Sequence, residues 1–177
     1  MDEKYLKEFK KLQLISLVGR FSAVFYMVIV TVLFRGSFVL VSEFSNENLL
    51  YLAYGLTLAS FILLLVLKRV RIFLLKTAST ERFIQRYKIR SERDEIFTEH
   101  EQKVSNFYST VTVLLLAVAE VPAVTGLVLT ILGTMYKVSI NYGVLIALMI
   151  ISALITSWSV LPSKSEYKEY LEKNLKT

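Results

Sequence analysis

Two charged residues stand inside long apolar segments of the sequence and are the first candidates for chemistry. Glu120 lies in the run 107–135 and Arg20 in the run 12–34. An ionised carboxylate in such surroundings is costly unless it is paired, protonated or hydrated. Glu120 is therefore a candidate proton- or cation-binding group, and Pro122, which has no N–H to donate, is predicted to loosen the helix beside it. The alternative is that Glu120 is a buried polar group that fixes helix packing.

Arg20 is the candidate partner of Glu120. If both helices start from the same side of a bilayer, the two residues differ in depth by less than about 10 Å, at about 1.5 Å per residue. Pairing would account for both charges and would hold the two helices together. Alternatively, the Arg20 side chain extends along its own helix to the nearer lipid headgroups. The sequence favours neither interpretation over the other.

Small residues surround the acid on the same predicted helix. Ala119, Ala123 and Gly126 allow helices to approach closely, which is the usual way in which membrane helices pack. We therefore assign these three residues to packing rather than to a substrate path.

Other kinds of site are not predicted. The chain has no cysteine, which excludes disulfides, thiolate metal sites and cysteine nucleophiles. His100 is the only histidine, too little for a metal site. There is no serine with a reachable base and no phosphate-binding glycine loop. We expect no enzyme activity, no cofactor and no metal site. The net charge of +6 is explained by basic loops of a membrane protein, so no nucleic acid partner is expected.

The segment 119–129, AEVPAVTGLVL, resembles the carboxylate-bearing helix of the proteolipid (c-type) subunits of rotary ATPases. In that family a membrane-embedded acid is followed by a small residue and a run similar to Gly-Leu-Val. The resemblance is confined to this segment, and it implies an ion-binding role for Glu120.

The elements that must position these residues are membrane-spanning helices. Hydrophobic residues make up 54% of the 177 residues, and the mean hydropathy is +0.52. A helix needs about 20 apolar residues to cross the hydrocarbon core. Four segments meet that requirement: 12–34, 49–67, 107–135 and 142–161. The sequence predicts an all-α protein whose four transmembrane helices form two hairpins.

The positions of lysine and arginine predict how these helices are oriented. Basic residues are concentrated in the N-terminal segment, in the connection between the second and third spans, and in the C-terminal tail. The other two connections hold only Arg35 and Lys137. By the positive-inside rule, both termini and the central connection are cytoplasmic, in a multi-pass protein of the cell (inner) membrane.

The chain divides into five predicted parts. Residues 1–11 are an amphipathic segment expected to lie along the membrane, and residues 12–67 are the first hairpin. Residues 68–106 are a basic cytoplasmic helical segment, expected to be a hairpin with a break near Ser91. Residues 107–162 are the second hairpin, and residues 163–177 are a surface helix, with Ser163 and Glu166 at capping-box spacing.

A faint internal repeat is also present. Residues 54–62 align with 142–150, and residues 20–24 align with 120–124. The alignment predicts an internal duplication of the hairpin, related by an axis along the membrane normal.

These features lead to two functional hypotheses. The first is a structural or accessory helical bundle that packs within the lipid bilayer against copies of itself, as a homo-oligomer, or against a larger membrane complex. The second is an oligomeric subunit that translocates protons or cations by means of Glu120.

Overall fold

The computed structural model describes residues 3–35, 47–86, 99–134, 140–161 and 163–175. These residues form six α-helices and contain no strand: α1 (Glu3–Arg35), α2 (Glu47–Leu74), α3 (Thr77–Arg86), α4 (Glu99–Thr134), α5 (Ile140–Val160) and α6 (Lys164–Leu175). The all-α class is confirmed. Helices α1, α2, α4 and α5 are long and apolar enough to cross a membrane, in agreement with the four predicted spans.

Two of these helices extend beyond the predicted spans. α2 continues past Lys68 and Arg69 to Leu74, as expected from the apolar residues that follow the two cations. α4 begins at Glu99 rather than Phe107, and it continues through Pro122 to Thr134. Proline at an interior position removes one helical hydrogen bond but does not end a helix that neighbouring helices hold in place.

The centre of the bundle is the α4–α5 pair, which has the most extensive helix–helix contact. These helices run antiparallel, because Gly133 of α4 lies beside Tyr142 while Gly126 lies beside Ile146 and Ile150. α1 packs mainly on α4, and α2 packs mainly on α5. The α4–α5 pair therefore separates α1 from α2.

This arrangement differs from the packing that two equivalent hairpins would have. α4 and α5 pack closely, whereas α1 and α2 do not form a corresponding extensive contact in the described part of the chain. Instead, α1 contacts α4 about as extensively as α2 contacts α5, and the weaker contacts of α1 with α5 and of α2 with α4 are also similar in extent. The packing thus gives no support to the predicted duplication.

One end of the bundle carries α3, α6 and the first turns of α1 and α4, and we call it the α6 end. There an apolar cluster contains buried residues of five helices, including Leu12, Leu67, Phe107, Val160 and Leu171, and Phe83 of the sixth helix, α3, packs against it. A second cluster surrounds Tyr142 and Ile146 toward the other end. Each half of the bundle therefore has its own apolar cluster.

The predicted amphipathic segment 1–11 forms, over its described residues, the first turns of α1. α1 is one continuous helix from Glu3, and Phe9 is buried against Tyr167 of α6, with 5.7 Å between ring centroids. Tyr5 donates a hydrogen bond to Glu101 at the start of α4, at 2.6 Å. Because α4 and α6 offer a protein surface for this apolar face, the segment packs on the bundle.

The C-terminal helix begins as predicted. The amide of Glu166 donates to the Ser163 hydroxyl at 3.1 Å, and the amide of Ser163 donates to the Glu166 carboxylate at 3.0 Å. This is the reciprocal capping box. The predicted break near Ser91 lies outside the described residues.

Candidate functional site

Glu120 lies at the contact between α1 and α4, directly over Gly19. A Cβ atom placed on Gly19 would be 2.6 Å from Glu120 Oε1, closer than these atoms can approach. The absent side chain of Gly19 therefore provides the space that the carboxylate occupies. Glu120 is neither fully buried nor fully exposed, as expected for a group at the rim of a helix–helix contact.

The register of α4 against α5 gives the depth of Glu120. Gly133 lies beside Tyr142, and Gly126 lies between Ile146 and Ile150. Moving one residue toward the N-terminus of α4 therefore corresponds to moving about one residue toward the C-terminus of α5, and Glu120 lies level with about residue 154. It is therefore about 9 Å from Val160, where α5 ends.

Arg20 lies at the same end of the bundle, on a different partner from the predicted one. Its guanidinium carbon is 4.3 Å from the centroid of the Trp158 ring, two residues before α5 ends. No ion pair within 4 Å joins Arg20 to Glu120 in the described ranges. A cation over an indole face is attracted by the ring quadrupole. The arginine is thus held by Trp158 near the end of α5, a position compatible with the headgroup interpretation.

The small residues of α4 lie in tight helix contacts. Ala119 and Ala123 have no exposed surface, and a Cβ on Gly126 would be 3.4 Å from Ile150 Cγ1, which is ordinary contact distance. Pro122 is also buried. The predicted packing role of Ala119, Ala123 and Gly126 matches this geometry.

Gly133 is the more restrictive glycine of the same helix. A Cβ there would lie 2.7 Å from Cε1 of Tyr142. The Tyr142 ring is fully buried, and its hydroxyl donates to the carbonyl of Leu129 at 2.6 Å. The ring therefore has little freedom to move away from an added methyl group.

Polar contacts fasten α6 to the other helices. Arg71 of α2 pairs with Glu166 at 3.1 Å, the hydroxyls of Thr80 in α3 and Tyr170 are 2.9 Å apart, and those of Ser105 in α4 and Tyr167 are 2.8 Å apart. We call these six residues the α6 collar. Together with the Phe9 contact, the collar attaches α6 to α1, α2, α3 and α4. It fixes the relative positions of four helices at one end of the bundle.

The ionisable groups of α6 are tuned by this packing. Partial burial alone would raise the pKa of Glu166, but hydrogen bonds from the Ser163 amide and from Arg71 outweigh it and lower the pKa below its usual 4.5. Burial raises the pKa of Tyr167 and of Tyr170, and the hydrogen bonds to Ser105 and Thr80 offset this only in part. The collar therefore favours an ionised Glu166 and neutral tyrosines.

Three of these features were not predicted from the sequence: the contact of Glu120 with the backbone of Gly19, the contact of Arg20 with Trp158, and the α6 collar. A signal for the first was present, since Gly19 directly precedes Arg20 on the helix predicted to approach Glu120. The apolar spacing of Tyr167, Tyr170 and Leu171 along α6 was a signal for the collar. Nothing local marked Trp158 as the arginine's partner.

Comparison of the chain with protein-family models, with curated proteins and with solved structures gave no match. The resemblance of residues 119–129 to c-type subunits stays a prediction.

Proposed function

We propose that this protein is a structural or accessory helical bundle of the cell (inner) membrane, with both termini cytoplasmic. In that orientation α3, α6 and the collar lie on the cytoplasmic side, together with the basic residues near the ends of α1 and α2. The chain then crosses the bilayer four times, as two hairpins joined on the cytoplasmic side through α3. Positive-inside loop charge supports this path.

One observation supports the structural role: the helices are held together by polar and apolar contacts inside the bundle, whereas the outer faces of α1 and α2 are apolar and exposed. The collar ties α6 to α2, α3 and α4, and the α4–α5 contact is packed around buried side chains such as Ile146. In contrast, α1 and α2 expose long apolar faces, represented by Phe25 at 62% and Leu58 at 64%. Such faces suit lipid, a second copy of the chain or helices of a larger complex.

Site-specific photo-crosslinking in native membranes tests the accessory role. A photoreactive residue in place of exposed Phe25 is expected to crosslink to a second polypeptide. The matched control is Ile146, which is fully buried, and it should crosslink only within the chain. A product of twice the monomer mass would indicate a homo-oligomer, and other masses would indicate a larger complex. Crosslinking of Phe25 to lipid alone would contradict an accessory role.

The second candidate is proton or cation translocation by an oligomer, using Glu120. The observation in its favour is the carboxylate itself, which rests on the bare backbone of Gly19 and has no ion-pair partner within 4 Å among the residues described. A carboxyl group placed in this way can be protonated or can receive a cation.

Two measurements on reconstituted protein separate the candidates. If Glu120 is an ion site, a hydrophobic carbodiimide should label its protonated carboxyl group, and a bound cation or deprotonation at high pH should prevent the labelling. Glu120→Gln is the unlabelled control. Proteoliposomes should then show ion flux that depends on Glu120. Flux no greater than that of protein-free vesicles supports the structural role, whereas Glu120-dependent flux would overturn it.

A further inference from the structure

A cavity opens beside α1 at the α6 end of the bundle. Its volume is about 390 Å³, and most of its lining comes from one face of α1: Lys10, Gln13, Leu14, Ser16, Leu17 and Arg20. These residues recur at intervals of three and four, which places them along one side of the helix. The cavity is thus a groove along α1 with polar groups in its wall.

The charge of this groove is of one sign. Lys10 and Arg20 contribute two cations, and the described lining includes no aspartate or glutamate. The Nε atom of Arg20 is buried and has no hydrogen-bond partner among the residues described, while the guanidinium plane is held by Trp158. A buried donor without an acceptor costs free energy, so an anionic ligand at this point would gain a charge-assisted hydrogen bond.

The groove opens beside the end of a candidate membrane span, Tyr142–Val160. Its wall includes Leu161, the first residue after the end of α5, and basic pockets at this level of membrane proteins bind anionic headgroups. The neighbouring outer surface of α1 is apolar, since Leu14 is 63% exposed and Phe21 is 65% exposed. A ligand that suits both features has an anionic head and an apolar tail.

We propose that this groove is a binding site for the phosphate group of an anionic phospholipid, held by Lys10 and Arg20, with an acyl chain along Leu14, Leu17 and Phe21. Gln13 supplies an additional amide donor beside the phosphate. The site is independent of whether the bundle serves a structural role or translocates ions.

Thermal unfolding of the delipidated protein in neutral detergent tests the proposal, with added phosphatidylglycerol or zwitterionic phosphatidylcholine. The wild type should be stabilised more by phosphatidylglycerol. Lys10→Gln and Arg20→Gln should each weaken phosphatidylglycerol binding about five-fold, which corresponds to about 1 kcal/mol per basic group. Lys168→Gln is the matched control, since this exposed lysine of α6 does not line the groove, and its binding should equal that of the wild type.

The other outcomes are equally decisive. Equal effects of the two lipids on the wild type, or a loss in Lys168→Gln as large as that in Lys10→Gln, would overturn a specific site. If inorganic phosphate alone reproduces the stabilisation and competes with the lipid, the groove takes a free anion and the lipid proposal is wrong. If Arg20→Gln fails to fold, Lys10→Gln and the charge-retaining Arg20→Lys test the site in its place. Arg20→Lys should keep most of the preference for phosphatidylglycerol, and Lys10→Gln should lose part of it.

Discussion

Arg20 and Glu120 show that the residues in contact with a charged side chain determine how an apolar segment accommodates it. Glu120 is accommodated by the missing side chain of Gly19, and Arg20 by the face of Trp158. Both lie in the half of the bundle nearest α6. Each charge is therefore tolerated on its own, without an ion pair between the two.

This separation predicts the result of two double-mutant cycles on the free energy of unfolding. Arg20→Gln combined with Trp158→Leu should give a coupling of about 0.5–2 kcal/mol, the range of cation–π contacts. Arg20→Gln combined with Glu120→Gln should give a coupling near zero, and Glu120→Gln alone should have little effect on stability. Reversible unfolding of the protein in mixed micelles supplies all the values. A coupling between Arg20 and Glu120 larger than that between Arg20 and Trp158 would restore the ion-pair interpretation.

The glycines of α2 and α4 make a second prediction at the residue scale. Gly133→Ala should destabilise the bundle by about 1–3 kcal/mol, the usual cost of overpacking, because its new methyl group meets the Tyr142 ring at 2.7 Å. Gly55→Ala is the matched control, since nothing lies within 4 Å of its Cβ position, and it should be neutral or stabilising by up to about 1 kcal/mol. Free energies of unfolding of the two variants provide the comparison. Equal effects at the two positions would mean that Tyr142 moves aside freely.

At the scale of elements, the C-terminal helix is more than an appended surface helix. α6 begins with a capping box and buries Tyr167, Tyr170 and Leu171, and its polar partners come from three other helices. The helix could be predicted from the sequence because a capping box and helix-forming residues are local signals. Its docking could not, because Arg71 and Glu166 are separated by 95 positions, and nothing local specifies such a pairing.

The Arg71–Glu166 pair gives α6 docking a defined dependence on pH. Because the folded state lowers the pKa of Glu166 below 4.5, the pair contributes its full stabilisation above that value and loses it as the pH falls through the lowered folded pKa. Glu166→Gln keeps a residue suited to the capping box but removes the charge. At neutral pH it should lower stability by at most about 1 kcal/mol, since the pair is partly exposed.

Thermal unfolding of the wild type and Glu166→Gln across pH provides the measurement. Their midpoints should differ at pH 7 and converge under acid conditions below the folded pKa. Glu172→Gln, which removes an exposed acid of the same helix, should differ less from the wild type at every pH. A constant gap between the wild type and Glu166→Gln down to acid pH would show that the charge is not responsible.

The same contrast between local and distant signals holds for the spanning helices. Their existence and approximate bounds could be predicted because length and apolar composition are properties of a continuous segment. The register of α4 against α5 is set by contacts such as Gly133 with Tyr142, which join residues of different helices. Apolar residues are nearly interchangeable in sequence, so they define a span without defining which residue of the next helix it meets.

At the scale of the whole molecule, the two ends of the bundle are built differently. The α6 end holds the collar, the phosphate-binding groove proposed for α1, and both candidate charges. The opposite half has the apolar cluster around Tyr142. The cytoplasmic location proposed for the basic α6 end rests on the positive-inside rule, which counts lysine and arginine near the ends of the spans.

That orientation predicts the sidedness of single cysteines, which is simple to measure because the chain has none of its own. Glu47 at the start of α2 and Glu172 on α6 are both exposed glutamates, so Glu47→Cys and Glu172→Cys are matched replacements that leave every lysine and arginine in place. In right-side-out vesicles a membrane-impermeant maleimide should label Glu47→Cys and not Glu172→Cys, and inverted vesicles should give the reverse. The cysteine-free wild type controls for background labelling. Labelling of both positions from the same side would mean that the chain crosses the membrane an even number of times between Glu47 and Glu172, which contradicts the proposed path. A fully reversed pattern would place α6 outside the cell.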